Sequence, residues 1–178
     1  MIRRFIALTR IALMKINDDH MYHGAALTQV AEHPQFTAIN AFQQGGHASR
    51  SGFLVNHDIG VYLKYASEPT KPYSEYHFTF HADHLAELEA LNKKAGRVFI
   101  VLVCVRAKEI CCITYVEFEA LIAKRRVARG ATEDSYLVLV TCPQGKSFRV
   151  YVNAPGQKKK ALGNRIVPRN RFPNELFA

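Results

Sequence analysis

A chain of 178 residues, 48% of them hydrophobic, is long enough to bury one sizeable core and short for two. Its net charge of +9 suits a polyanionic partner. Four cysteines without a C-x-x-C pair speak against a zinc ribbon, and no glycine-rich phosphate loop or G-x-S-x-G elbow points to nucleotide hydrolysis or a serine hydrolase.

The first residues, Met1-Ile2-Arg3-Arg4-Phe5-Ile6-Ala7-Leu8, begin as a signal peptide does, but Arg10 and Lys15 interrupt the apolar run and no small-residue cleavage site follows. The run is also too short to span a bilayer. A helical extension over residues 1–16 is expected instead, its apolar face available to the domain or to a protein partner. A cytoplasmic location without membrane contact is the corresponding expectation. Asn17-Asp18-Asp19 carries N-cap chemistry and predicts a helix from about His20 to Glu32, stopped at His33-Pro34. Gly24, Ala25 and Ala26 within it invite close approach of another backbone.

A strand over residues 36–42 and a polar loop over 43–51 are expected next. A hairpin of residues 53–55 and 59–66 then turns at Asn56-His57-Asp58. In its second arm Ile59, Val61, Leu63 and Tyr65 alternate with Asp58, Tyr62 and Lys64, with room left at Gly60 and Ala66. After a proline-containing loop, Tyr76-His77-Phe78-Thr79-Phe80 alternates like a half-buried strand. A helix over 82–95 carries a Leu85, Leu88, Leu91 stripe and stops at Gly96. Residues 98–105 are eight consecutive apolar residues, the pattern of a strand covered on both faces. A charged turn and a strand over 110–113 complete that central hairpin. Thr114 and Glu117 form a capping box that opens a helix burying Tyr115, Phe118, Leu121 and Ile122. Residues 136–140 and 148–152 flank Pro143-Gln144-Gly145-Lys146 as a last hairpin. Residues 153–178 read as a basic C-terminal tail whose closing aromatics dock back on the core. The fold class is α+β, a single domain with about three helices on one mixed, largely antiparallel sheet. In it Cys104, Cys111, Cys112 and Cys142 are expected as buried, reduced thiols.

Charge is distributed unevenly. Residues 135–174 contain no acid but eight cations: Lys146, Arg149, Lys158, Lys159, Lys160, Arg165, Arg169 and Arg171. Just upstream lie Lys124, Arg125, Arg126 and Arg129. Cations so arranged gain by displacing condensed counterions, so DNA or RNA is the expected partner, with Tyr151 beside Arg149 as a stacking residue. The plainer alternative is a solvated basic face that keeps the protein soluble.

Two constellations bear on catalysis. Asp58 and Lys64 share a face of one strand, and Glu32 ends the first helix. Helix, three strands, helix, strand over residues 20–105, with Lys64 on the third strand, resembles the restriction-endonuclease-like nucleases. Their signature is an Asp followed by an acid-x-Lys. The resemblance implies a metal-dependent endonuclease with Lys64, Asp58 and Glu32 as catalytic residues and Mg²⁺ as cofactor. Tyr62 stands where that signature has its second acid, and a metal site would then need a carboxylate from elsewhere. The other set is histidines: His77, His81 and His84 with Asp83 near a strand-to-helix junction, His20 and His23 at i, i+3, and His47 and His57 near Arg50 and Asp58. Such groups suit Zn²⁺ or acid–base chemistry, with capping and solvation as the plain alternative. Three functions follow as expectations: a nucleic-acid-binding protein, a metal-dependent endonuclease, and a non-enzymatic protein-interaction domain.

Overall fold

The computed structural model describes residues 15–178. The expected helix over 1–16 falls almost wholly outside them. In chain order the elements are α1 (Asp18–Ala31), β1 (Ile39–Gln44), β2 (His47–Val55), β3 (Ile59–Ala66), β4 (Glu75–His81), α2 (Ala82–Lys94), β5 (Arg97–Cys104), β6 (Glu109–Thr114), α3 (Tyr115–Arg129), β7 (Ser135–Thr141), β8 (Phe148–Ala154), β9 (Gln157–Val167) and α4 (Asn174–Phe177).

The α+β class is as expected, but the strands form two sheets rather than one. One has the order β1-β2-β3-β5-β6 and the other β4-β7-β8-β9. Within the first, β3 and β5 run parallel, in register from Ile59↔Arg97 to Ala66↔Cys104, and the other pairs are antiparallel. The connection between them contains β4, which leaves for the second sheet, and α2, which returns the chain.

Two apolar layers explain why β5 has no polar side. On one face of the first sheet, Tyr62, Ile100, Leu102 and Ile113 meet Phe78, Phe80, Val138 and Val150 of the second sheet, with Leu88 and Leu91 of α2 and Phe118, Leu121 and Ile122 of α3. On the other face, Val61, Leu63, Phe99 and Val101 pack against Ala26 and Val30 of α1 and against Phe172 and Leu176. The closing residues do dock as expected. Arg97 fixes them by donating to the carbonyls of Leu176 and Ala178.

Three local readings change. Residues 157–167 form an edge strand, β9, rather than a loose tail. The predicted loop after β1 is mostly strand, since β2 begins at His47. Gly24 has no neighbour where a Cβ would stand, so no backbone approaches there. The cysteines are free, with Cys104, Cys111 and Cys112 buried and Cys142 half-buried.

Gly60 is the position where close approach is real. A Cβ there would lie 2.8 Å from Val98 Cγ2 and 3.0 Å from Leu91 Cγ, between β3 and α2. Gly60→Ala is therefore expected to destabilise by about 1–3 kcal/mol. Gly24→Ala, in open space on a helix, is expected to stabilise by about 0.5–1 kcal/mol. Urea unfolding midpoints measure both, and equal effects would contradict the packing described.

Candidate functional site

The cleft at Lys64 begins with a failure of strand pairing. Pairing between β2 and β3 stops at Gly52↔Tyr62, whereas β3 continues to Ala66. The cause is local. Ser49 Oγ accepts the N–H groups of Ser51 (3.0 Å) and Gly52 (2.6 Å), turning β2 away. The Arg50 carbonyl is then free to accept the His23 Nδ1–H at 3.1 Å from α1. Into the gap faces a cleft of about 370 Å³ lined by Asp19, His23, Arg50, Tyr62, Lys64, Tyr65, Asp83, His84 and Glu87, among others.

Lys64 spans the two sheets across this gap. Its Nζ donates to the Thr79 carbonyl of β4 at 2.6 Å and lies 3.1 Å from His84 Nδ1, with the Phe80 ring 5.0 Å away. The His81 N–H also points at His84 Nδ1, at 3.1 Å, in the first turn of α2. A backbone N–H only donates, so Nδ1 is the unprotonated nitrogen and Lys64 is a donor to it. The other ring nitrogen faces Asp83 at 3.9 Å. Beside Lys64, Tyr62 donates its hydroxyl to Glu87 Oε2 at 3.0 Å.

Electrostatics follows from this burial. Desolvation pushes Lys64 down from its ordinary 10.5 to about 8, although Asp83 and Glu87 favour its charged form. Burial, and then the Lys64 charge, lowers His84; burial lowers His23. Burial and the Glu87 carboxylate raise the Tyr62 phenol far above its usual range. Because His23 gives its Nδ1–H to a carbonyl, its Nε2 carries the lone pair in the neutral form. The cleft thus offers an amine that gives up its proton more readily than an ordinary lysine, a neutral imidazole and the Tyr65 ring, which packs 4.8 Å from that of Tyr22.

The other residues expected beside Lys64 lie elsewhere. Asp58 immediately precedes β3, six residues from Lys64 and so about 20 Å along the chain; its carbonyl accepts from Gly96 and Arg97. Glu32 is the exposed C-cap of α1, while it is Asp19, thirteen residues and about 20 Å along the helix, that reaches the cleft. Asp83 and Glu87, at i, i+4 on α2, are the other carboxylates there. Spacing on the polar face of α2 was the signal for them.

The histidines disperse. Of His77, His81 and His84, the first bonds Thr70 Oγ1 at 3.0 Å, the second is exposed, and the third alone enters the cleft, where it joins His23. His20 belongs to the Asn17 capping box and lies with His23 along a neighbouring groove, outside the Lys64 cleft. His47 and His57 lie at opposite ends of β2. Among the described residues no three His, Cys, Asp or Glu side chains converge to hold a metal ion. The residues present do not fit Mg²⁺ or Zn²⁺ as a resident cofactor.

The expected nucleic-acid contacts divide into two groups. Arg165 and Arg171 pair with Glu117 at 3.6 and 2.8 Å, and Arg169 pairs with Glu109 and stacks on Phe148. Tyr151 donates to the buried Glu75. These four side chains hold the fold together. Lys146, Arg149, Lys158, Lys159 and Lys160 are exposed. The last three are grouped by the ladder itself, which steps from Ala154↔Gln157 to Asn153↔Ala161. Three lysines therefore stand on a bulge with no partner across the strand. Lys124 of α3 lies against β9 farther along the strand: a Cβ at Gly163 would lie 3.6 Å from its Nζ. Arg125 anchors this arrangement through both Glu133 oxygens at 2.6 Å and the Asn153 carbonyl at 2.6 Å. A cavity of about 430 Å³ opens between Arg125, Asn153, Gln157 and Lys158.

Lys64 is expected to titrate near pH 8, well below the exposed lysines, in NMR of ¹³C-methylated protein. Asp83→Asn and Glu87→Gln should each lower that midpoint further, because both carboxylates favour the ammonium. The unfolded chain binds the extra proton between about pH 8 and 10.5, so Lys64 makes wild-type stability rise with pH across that window relative to Lys64→Met. A midpoint with the exposed lysines would contradict the buried geometry. No family model matches this chain, and no curated protein or solved structure matches it.

Proposed function

We propose that this protein binds nucleic acid through the surface formed by the β9 bulge and the end of α3. The observation that carries the reading is the bulge: Lys158, Lys159 and Lys160 are exposed together, opposite no strand, on a segment free of acids. Lys124 and Arg129 extend the same charge from α3, which packs on β8 and β9. A surface of this kind takes phosphates by counterion release and carries no base-specific information by itself.

The bulge also has a plain structural use, since charged bulges keep an edge strand such as β9 from pairing with another chain. Binding and edge protection separate in a salt titration. Any cleavage chemistry accompanying binding would draw on Asp19, Asp83 and Glu87, the carboxylates that line the cleft with Lys64.

Affinity for single-stranded and duplex oligonucleotides is expected to fall steeply with salt. Replacing Lys158, Lys159 and Lys160 together by Ala should reduce the slope of log K against log salt by about 2–3, since each phosphate contact contributes about 0.7–0.9. Lys108→Ala, on the β5–β6 turn, should leave it unchanged. No binding at low salt, or an unaltered slope in the triple variant, contradicts the proposal. Aggregation of the triple variant with unaltered binding would assign the bulge to edge protection alone.

A further inference from the structure

The Lys64 amine has a use that phosphate binding does not require. When Lys64 is deprotonated it has two N–H groups and one lone pair. Its two fixed partners are both acceptors: the Thr79 carbonyl at 2.6 Å, and His84 Nδ1 at 3.1 Å, whose acceptor role is set by the His81 N–H. Those partners take both N–H groups, so the lone pair is left for the cleft. Among the described residues, the ion pairs within 4.0 Å include none to Lys64, so no carboxylate occupies that direction at contact distance. An amine held by two acceptors at the wall of an open cleft is arranged as a nucleophile and not as a cation clamp.

We propose that Lys64 is a nucleophile toward an aldehyde, forming an imine in the cleft between α1, β3 and α2. In the step, the Nζ lone pair forms a bond to the carbonyl carbon and the carbonyl π pair moves to oxygen. Both amine protons pass through solvent to that oxygen, which leaves as water as the C=N bond closes. Nothing is oxidised or reduced, and no metal is needed. Desolvation leaves Lys64 with on the order of 10²-fold more neutral amine near pH 7 than an ordinary lysine. His23, with its Nε2 lone pair, lines the same cleft and can take a proton from the carbon next to the imine. The aldehyde has two possible sources, the opened sugar of an abasic nucleotide or a small carbonyl metabolite. The inference does not rest on the nucleic-acid reading, because the small aldehyde needs no basic surface.

The test is reductive trapping. Full-length protein is incubated with cyanoborohydride and, in separate arms, an abasic-site oligonucleotide or pyridoxal 5′-phosphate, and the adduct is located by peptide mass spectrometry. The expected result is Lys64 modified at least tenfold faster than any exposed lysine, with loss of that adduct in Lys64→Arg. Selective labelling with the oligonucleotide assigns a nucleic-acid aldehyde. Selective labelling by the small aldehyde alone keeps the site and assigns a small carbonyl substrate. Labelling spread over the exposed lysines without enrichment at Lys64 in both arms overturns the proposal, and because it is read on wild-type protein it does not depend on how the variant folds.

Discussion

The parallel pairing of β3 with β5 is the constraint on which the rest of this structure depends. Eight consecutive pairs join the two strands, and both faces of the pair are buried, one by the second sheet with α2 and α3, the other by α1 and the chain's end. A parallel pair requires a crossover, and here the crossover contains β4 and α2. That excursion delivers the free edge of β4 and the first turn of α2 to the end of β3. Lys64, two residues before the end of the parallel register, is consequently surrounded by groups from three other elements. Its hydrogen bond to Thr79 joins the two sheets, and that to His84 ties in α2, at the point where β2 has already turned away.

That arrangement gives the cleft its character. The same burial that makes charge on Lys64 costly weakens its hold on the proton, and the carboxylates of α2 are near enough to moderate the effect without forming an ion pair. At the other end of the second sheet the physics is reversed. β9 is an edge strand, and its lysines are exposed to solvent. One molecule thus carries a desolvated lysine in a cleft and a solvated cluster of lysines at a sheet edge.

How much of this was legible follows from what each segment buries. The run 98–105 announced itself because a strand covered on both faces has no polar residues to spare. The N-cap residues at Asn17 and the capping box at Thr114 located two helices because a cap is chemistry within four residues. β9 was hidden, since an edge strand is held by backbone pairing and its Lys, Gly and Asn residues show no apolar alternation. The split into two sheets was hidden too, because alternation says which face of a strand is apolar but not which sheet the strand joins. At the site, alternation on β3 found Lys64. It also suggested Asp58 on the same face, but six residues of extended chain is a distance no shared face removes. Asp83 and Glu87 read as the solvated side of a helix until the crossover placed that side over Lys64. Of the cations, the sequence showed how many there are and not that Arg165, Arg169 and Arg171 are bound to Glu117 and Glu109.

The central functional claim is that folding gathers cations from α3 and β9 into one phosphate-binding surface. Hydrogen–deuterium exchange with and without a single-stranded oligonucleotide at low salt tests it most directly. The account predicts slower exchange in β9 around residues 157–163 and in the last turn of α3. Unchanged exchange there, with binding present and protection confined to α1 or the β1–β2 hairpin, would contradict it.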